Sequence, residues 1–510
     1  MKRYAYLLLL SIPFIACKNQ EKKEAPGPVA TQSYNEEYRL QYHFSPPAHW
    51  MNDPNGLVYN DGNYHLFYQY YPEDTKWGPM HWGHATSKDL IKWDNKPIAL
   101  YPDSLGYIFS GSAVVDKHNT AGFGTQDNPA LVAMYTYHDP VGAQEGKDDY
   151  QYQAIAYSLD NGETFTKYEG NPVVPNDEKI KDFRDPKVFW YEPEEKWVLI
   201  LSVLDHSSFY ESKDLKTWQK MSDFGLEVGA HGGVWECPDL FKLPVDDGAK
   251  EKWVLIININ PGAPNGGSGT QYFVGDFDGK KFTTTQTEAK WLDWGPDNYA
   301  GVTYNNAPTD DRIFIGWMSN WEYGQETPTE KWRSSMTLPR KLTLTKIDGD
   351  YIVKNYPIKA FAERLTPKSY TAEDLPIKDK AVQQGEIRFT LPQPLKDFEF
   401  TMGNASGDTL SIAYVAAEKE FKIDRSKSGL TGFSDKFANK DLVAPAVFAK
   451  GETVDFVLYV DQSSLEFFVD EGATVMSVQF FPHESYDFFN IDTENKLTNI
   501  SLAHVPGIWE

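Results

Sequence analysis

Three carboxylates lie within short sequences that favour turns: Asp53 in Asn-Asp-Pro-Asn-Gly, Asp185 in Arg-Asp-Pro, and Glu236 in Glu-Cys-Pro-Asp. Two carboxyl groups that flank a glycosidic bond can hydrolyse it, one as the acid and one as the nucleophile or base, and a retaining reaction places them roughly 5–5.5 Å apart. Like charges held so close raise the pKa of one group, which then supplies a proton at neutral pH. A third carboxylate, left ionised, could hold sugar hydroxyls. We expect the neighbouring Arg184 to keep Asp185 ionised.

A divalent cation is the alternative use of the same oxygen atoms. The chain contains no compact Asp-x-Asp-x-Asp loop, and the acidic stretch at residues 147–150 (KDDY) is typical of a solvated loop. The histidines show no HExxH spacing, and His49, His81 and His84 form no triad or zinc pattern. We therefore expect no metal and no cofactor.

The composition narrows the class of partner. A chain of 510 residues is long enough for two or more domains. Its net charge of -24 argues against a nucleic acid as partner, because the phosphates would be repelled. The aromatic content of 15% suits β-rich proteins and sites where flat rings pack on sugars. Cys17 and Cys237 are the only cysteines, so no disulfide framework is expected.

The first 17 residues have the features of an export signal. A basic start precedes an apolar run at residues 6–16, which is too short to span a bilayer and ends at Cys17. Together with the polar tether at residues 18–35, this pattern resembles a bacterial lipoprotein signal, although Phe14 departs from the more usual Leu. It predicts lipidation of Cys17 and a lipid-anchored location in the bacterial cell envelope. A plain secretory signal, and thus a secreted protein, is the alternative.

A repeated motif predicts the fold of the long central region. TSKDLIKW at residues 86–93 recurs at 157–165 and 211–218, with a weaker copy at 274–282, and each copy follows an apolar, β-branched run. A unit that repeats every 50 to 75 residues fits four-stranded propeller blades. The five presumed first strands carry Asn52-Asp53-Pro54, Phe109-Ser110-Gly111, Arg184-Asp185-Pro186, Glu236-Cys237-Pro238-Asp239 and Asp297-Asn298-Tyr299. Because the innermost strands of a propeller converge on its channel, these five segments should meet at one place.

A second domain follows the repeats. We predict an all-β chain with a five-bladed β-propeller at residues 36–350, a linker at 351–379 that includes a short helix near 359–365, and a C-terminal β-sandwich at 380–510. The sandwich is inferred from several half-buried strands that alternate apolar and polar residues. No cluster of charged or aromatic residues there demands chemistry, so we expect a mainly structural role.

Four motifs in order resemble those of glycoside hydrolase family 32, the β-fructosidases: WMNDPNG at 50–56, FSGSAV at 109–114, FRDPK at 183–187 and WECPDLF at 235–241. The resemblance runs over roughly residues 36 to 510 and reaches the second domain through VDQSSLEFFVDEG. It implies a retaining hydrolase with a propeller followed by a sandwich. Asp53 would be the nucleophile, Glu236 the acid and base, and Asp185 the group that stabilises the transition state. The residues that would line the fructose subsite are Asn52, Gln69, Trp77, Phe109, Ser110, Arg184 and Trp317.

The substrates implied are levan, inulin and sucrose. We favour release of single fructose units from chain ends, because the segments WGPMHWGH and DNYAGVTY resemble those of exo-acting members. The alternatives are an endo-acting levanase, a fructosyltransferase, an inverting propeller glycosidase that acts on arabinose units, and a fructan-binding lipoprotein without catalysis. The presence of all three carboxylates argues against a fructan-binding lipoprotein without catalysis.

Overall fold

A computed structural model describes residues Tyr34 to Trp509, so the predicted lipidation site at Cys17 lies outside the described residues. The described chain is nearly all β. Its helices are short: α1 (Pro140–Gln144), α2 (Lys359–Ala362), and 3-10 turns at Glu192–Glu194, Ala372–Asp374 and Lys380–Val382. Helix α2 begins the segment that the sequence predicts to be helical. Across Tyr34–Trp509, no helix has the length and apolar character needed to cross a membrane.

Five antiparallel sheets form the blades of a propeller. The first contains β1 (His49–Asn60), β2 (Asn63–Tyr71), β3 (His81–Ser87) and β4 (Asp94–Leu100). The second contains β5 (Tyr107–Val115), β6 (Leu131–His138), β7 (Gln151–Ser158) and β8 (Thr166–Lys167). The third contains β9 (Phe183–Tyr191), β10 (Lys196–Val203), β11 (His206–Ser212) and β12 (Gln219–Phe224). The fourth contains β13 (Val234–Pro244), β14 (Glu251–Asn260), β15 (Gly269–Phe277), β16 (Phe282–Thr283) and β17 (Lys290–Trp291). The fifth contains β18 (Tyr299–Thr303), β19 (Arg312–Met318), β21 (Ser335–Met336), β22 (Arg340–Ile347) and β23 (Asp350–Pro357), while the intervening β20 (Trp332–Arg333) pairs in parallel with β1.

The repeated sequence motif is the turn that leaves the third strand of a blade. In the first blade, the Ser87 hydroxyl lies 3.1 Å from Asp89 Oδ1, which accepts the backbone N–H groups of Ile91 and Lys92 at 2.9 Å. The same arrangement recurs in the third blade, where Asp214 accepts the N–H groups of Lys216 and Thr217. A short side chain that satisfies the turn backbone explains why Ser and Asp recur there.

Hydrophobic cores lie between neighbouring blades. Ile108, Tyr135 and Phe67 pack between the first and second blades, and Trp235 with Ile200 packs between the third and fourth. Because the blades bury their faces against their neighbours, a central strand such as β10 is buried along its whole length and consists mostly of apolar residues.

The C-terminal region is a sandwich of two six-stranded sheets. One has the order β24 (Lys368–Tyr370), β35 (Thr498–His504), β26 (Gly385–Pro392), β31 (Thr453–Asp461), β32 (Ser464–Val469), β33 (Thr474–Gln479). The other has the order β25 (Ile377–Lys378), β34 (Phe488–Thr493), β27 (Phe398–Gly403), β28 (Thr409–Val415), β29 (Glu420–Lys427), β30 (Leu442–Pro445). The inner faces meet in an aromatic core that includes Phe389, Phe400, Phe456 and Phe467.

Strand pairing continues beyond residue 350, where the sequence places the end of the propeller. β23 pairs with β22 along its whole length, from Ile347 opposite Asp350 to Arg340 opposite Pro357. Two short strands within the predicted linker, β24 and β25, each join one sheet of the sandwich. The Asp348-Gly349 turn closes this last hairpin of the fifth blade.

Buried charges join the propeller to the sandwich. Arg340 of the fifth blade contacts Asp293 at 2.8 Å and Glu466 of the sandwich at 2.7 Å, with all three side chains 0% exposed. His43 lies between Asp461 at 2.8 Å and Glu466 at 3.0 Å. These charges fix how the two domains pack, because each needs its partners to remain buried.

Candidate active site

The innermost strand of every blade carries an irregularity near its first residues. Register shifts interrupt the pairing between Met51 and Pro54, Ile108 and Gly111, Arg184 and Lys187, Glu236 and Asp239, and Tyr299 and Val302. Asp185, Cys237 and Ala300 have positive φ angles of 65°, 42° and 53° there. Such bulges bend a strand and redirect its side chains. Each predicted carboxylate therefore lies where its strand departs from regular pairing.

A cavity of about 310 Å³ opens at this end of the channel. Every predicted site residue of the propeller except Trp317 lines it: Asn52, Asp53, Gln69, Trp77, Phe109, Ser110, Arg184, Asp185 and Glu236. Residues far apart in sequence thus share one wall, as expected from the convergence of the inner strands.

Asp53 accepts short hydrogen bonds from two side chains, and the Cys237 thiol lies 3.6 Å from its Oδ2. Ser110 Oγ donates to Asp53 Oδ2 at 2.6 Å, and Asn52 Nδ2 donates to Asp53 Oδ1 at 2.9 Å. Asn52 is itself oriented by the Trp50 indole, which donates to its Oδ1 at 2.7 Å. Burial and the charge of Glu236 raise the pKa of Asp53, while the Ser110 and Asn52 hydrogen bonds oppose that rise. Both donors therefore favour the ionised carboxylate that a nucleophile requires.

Asp185 is the most enclosed of the three carboxylates, with 4% of its side chain exposed. The backbone N–H of Cys237 donates to its Oδ2 at 3.1 Å, and its own N–H donates to Thr136 Oγ1 at 3.0 Å. Burial, followed by the charges of Glu236 and Asp53, raises the pKa of Asp185 to about 7 although Arg184 opposes the shift. Arg184 thus lowers the pKa of Asp185, as its position in the sequence predicts, but does not return it to its usual range.

The reason lies in where the Arg184 guanidinium points. It donates to Glu236 Oε1 at 2.8 Å and to Asp182 Oδ1 at 2.7 Å, while its nearest approach to Asp185 is 3.9 Å. The Tyr299 hydroxyl donates to the other oxygen of Glu236. Glu236 is thus the carboxylate held from both sides, and about 18% of its side chain remains exposed to the cavity.

One predicted site residue, Trp317, lies elsewhere, and so does the carboxylate of Asp297 from the fifth blade-start segment. Trp317 is fully buried, and its ring packs 5.0 Å behind that of Trp321, which takes its place in the cavity wall. The carboxylate of Asp297 turns away from the channel to pair with Arg425 of the sandwich at 2.9 Å. Successive side chains of a strand point to opposite faces, so a sequence position alone does not decide which of them faces the cavity.

The remaining lining residues were not anticipated: His138, Tyr150, Gln151, Asp182, Trp321 and Gln325. Asp182 lies three residues before Asp185, and Trp321 lies four residues after Trp317, so their closeness to predicted site residues is a signal that the sequence contains. His138 stacks on Phe109 at 4.3 Å, and burial with the Arg184 charge lowers the pKa of His138 to about 4. His138 is therefore neutral near pH 7.

No group of three His, Cys, Asp or Glu side chains between Tyr34 and Trp509 is arranged to hold a metal ion. The arrangement instead offers carboxylates at three positions, aromatic rings at the wall and hydrogen-bond donors at the base, which together suit hydrolysis of a sugar.

Two family models cover most of the chain. The glycosyl hydrolases family 32 N-terminal domain matches residues 43–356, and the family 32 C-terminal domain matches residues 358–504. The chain belongs to glycoside hydrolase family 32. As a member of that family it is a glycoside hydrolase, built as a five-bladed propeller followed by a β-sandwich.

Relatives of this family 32 hydrolase include enzymes that act on fructans. It is 44% identical to a levanase of Bacillus subtilis over 93% of this chain and 72% of the levanase. It is 41% identical to an extracellular exo-inulinase of Aspergillus niger over 88% of this chain and 90% of the relative. The crystal structure of exo-inulinase from Aspergillus awamori superposes with a TM-score of 0.83 at 36% identity, covering 93% of this chain and all of that one.

Proposed function

We propose that this hydrolase removes terminal fructose units from levan, inulin and sucrose with retention of configuration. The observation that carries the proposal is the shared cavity of about 310 Å³ lined by Asp53, Asp185 and Glu236 beside the Trp77 ring. Such a volume is at the small end of ligand cavities, roughly 300–1,000 Å³. It suits the end of a chain more than a long internal stretch. The levanase and exo-inulinase relatives support a β-fructan as substrate.

In the first step, an Asp53 oxygen attacks the anomeric carbon of the terminal fructose. The bond from that carbon to the leaving oxygen breaks, and Glu236 transfers its proton to the leaving oxygen. The hydrogen bonds from Ser110 and Asn52 hold Asp53 in one orientation before the attack. The product of this step is a fructosyl ester on Asp53.

In the second step, Glu236 takes a proton from water, whose oxygen attacks the same carbon and displaces Asp53. Free fructose leaves and both carboxyl groups return to their starting states. Asp185 accepts hydrogen bonds from fructose hydroxyls and stabilises the positive charge that develops on the ring. Its Oδ2, already held by the Cys237 N–H, is fixed for that task.

Substitution of the two reacting carboxyl groups tests the roles. Asp53→Ala and Glu236→Ala should each abolish turnover of sucrose and levan while the melting temperature stays near that of the parent. Glu236→Ala should retain measurable activity on fructosides with good leaving groups, because only acid assistance is lost. Normal activity of either variant on sucrose would contradict the assignment.

The distribution of products at low conversion tests the exo action. Fructose alone from levan and inulin at the earliest times is the expected result. A ladder of oligosaccharides would instead identify an endo-acting enzyme, and transfer of fructose to added sugar would identify a fructosyltransferase. Absence of product from all three substrates would leave a fructan-binding protein.

We also propose that Cys17 carries a lipid that anchors the enzyme to the bacterial cell envelope. The support is the basic and apolar segment that ends at Cys17, together with the extracellular location stated for the exo-inulinase relative. Cys17→Ser should release the protein from the membrane fraction and abolish incorporation of labelled fatty acid. Retention of the label in that variant would contradict the proposal.

A further inference from the structure

A second cavity, of about 360 Å³, lies at the opposite end of the propeller channel. The inner strands enter the propeller at the catalytic cavity and end at this one. On β9, Arg184 lines the first cavity and Trp190 the second; on β13, Glu236 lines the first and Lys242 the second. Six residues of extended strand separate the members of each pair, which corresponds to about 20 Å.

The two cavities do not communicate through the channel. Between them, Asn55, Leu57, Ser112 and Pro186 surround a space of only about 10 Å³. A sugar cannot pass through an opening of that size, which is close to the volume of one water-sized probe. A ligand in the second cavity would therefore enter from the far face, where Lys117, His118 and Glu192 are exposed.

The base of this cavity contains a buried acceptor without a partner. Asp239 is 1% exposed, and its Oδ2 accepts the backbone N–H of Thr303 at 2.6 Å and contacts Lys187 Nζ at 3.1 Å. Its Oδ1 has no hydrogen-bond partner among the described residues. Buried carboxylate oxygens are almost always hydrogen-bonded, so an unpaired one in a cavity wall marks a place for a donor.

Hydrogen-bond donors without partners belong to residues that line the same cavity. The Trp190 indole Nε1 is buried with no partner in the described part of the chain. Arg312, which also lines the cavity, lies over the Phe241 ring at 5.8 Å; burial lowers the pKa of Arg312, and the charges of Asp239 and Asp310 oppose that shift. No carboxylate between Tyr34 and Trp509 comes within ion-pair distance of its guanidinium. Such a guanidinium can donate several hydrogen bonds in one plane.

The walls of the cavity are aromatic. The rings are those of Phe189, Trp190, Tyr191, Trp197, Phe241 and Trp253. Flat rings pack against the C–H faces of sugars, while sugar hydroxyls both donate and accept hydrogen bonds. An unpaired acceptor, unpaired donors and aromatic walls in one cavity match the chemistry of a sugar. They match an inorganic anion less well, because the Asp239 carboxylate would repel it.

We propose that this far-face cavity is a second carbohydrate site, which binds one or two sugar units of a fructan chain without cleaving it. The choice of fructan as the ligand rests on the proposed function. In this role the site would hold a polymer on the enzyme while the chain end occupies the catalytic cavity of the same molecule or of a neighbour. Binding at this second site does not assist the hydrolysis of short substrates such as sucrose.

The test is a calorimetric titration of the inactive Asp53→Ala protein with a fructosyl-sucrose trisaccharide. Two molecules should bind per chain. Adding Trp253→Ala, or separately Arg312→Gln, should reduce this to one. The matched control is Trp218→Ala, because Trp218 is a partly buried tryptophan of the third blade that lies outside both cavities. It should leave the stoichiometry at two, and melting temperatures verify that all variants fold.

In the active enzyme, Trp253→Ala should raise KM for long-chain levan about two- to tenfold, the factor that corresponds to the loss of one aromatic contact. Its kcat/KM for sucrose should stay unchanged. One bound trisaccharide per Asp53→Ala chain, or two retained after both far-face substitutions, would overturn the proposal. Binding of inorganic phosphate in place of the trisaccharide at the far face would do so as well, by assigning the cavity to an anion. The proposed function fails by a separate measurement, the absence of sucrose and levan hydrolysis by the unsubstituted enzyme.

Discussion

The buried carboxylates of the proposed active site destabilise the fold when they are ionised, and the substitution Asp185→Asn measures the size of this effect. Burial beside Glu236 and Asp53 raises the pKa of Asp185 from 3.8 to about 7. A carboxyl group whose pKa is higher in the folded than in the unfolded state lowers the free energy of unfolding when the pH favours its ionised form. This effect is absent below pH 3.8, where the group is protonated in both states, and it grows as the pH rises to about 7. A shift of this size corresponds to roughly 4 kcal/mol at pH 8 and roughly 1–2 kcal/mol at pH 5.

The substitution Asp185→Asn would remove the charge and keep a side-chain oxygen that can accept the Cys237 N–H. For the described 476 residues, an unfolding entropy of about 2.1 cal/mol/K per residue converts 1 kcal/mol into about 1 °C. We therefore expect Asp185→Asn to raise the melting temperature by up to about 4 °C at pH 8 and by about 1–2 °C at pH 5. Differential scanning calorimetry at the two pH values measures both, and hydrolysis of sucrose should be lost.

Glu466→Gln is the control with the opposite sign. Burial alone would raise the pKa of Glu466, but Arg340 and His43 outweigh it and lower the pKa to about 2. Its charge therefore stabilises the fold above pH 4.5, and this contribution is lost as the pH falls through 2. Glu466→Gln should lower the melting temperature at pH 8. An equal gain from Asp185→Asn at both pH values, or a loss at pH 8, would refute the electrostatic reasoning.

Two further predictions concern positioning and stability. Ser110→Ala removes the 2.6 Å hydrogen bond to Asp53. It should lower kcat on sucrose about ten- to a hundredfold with little change in melting temperature, because a charge-assisted hydrogen bond contributes about 1.5–3 kcal/mol. An unchanged kcat would contradict this role. Arg340→Met leaves Asp293 buried without a cation and Glu466 with His43 alone, and it should destabilise the fold by about 3–5 kcal/mol in denaturant titrations. The companion Arg340→Met/Glu466→Leu should recover part of that loss, and a single variant as stable as the parent would show that the buried ion pairs contribute nothing.

Local sequence determined the units of the structure. The Ser and Asp of the repeated turn motif satisfy the backbone of the turn they occupy, as Ser87 and Asp89 do, so their position in each blade can be read without tertiary information. Apolar runs such as β10 are long enough to mark buried strands. From the spacing of these units follow the blade architecture and the convergence of Asp53, Asp185 and Glu236 on one cavity.

Only the tertiary structure decided which side chains face the cavity and which partners they contact. Trp317 and Trp321 are both tryptophans of one segment, yet only Trp321 faces the cavity. Arg184 is adjacent to Asp185 in sequence, yet its guanidinium binds Glu236 across the channel. Asp297 occupies a blade start and pairs with a residue 128 positions away. The physical reason is that strand twist, bulges and long-range packing set the direction of a side chain, and the sum of neighbouring charges sets its pKa, whereas residue type and local spacing report only the presence of the group.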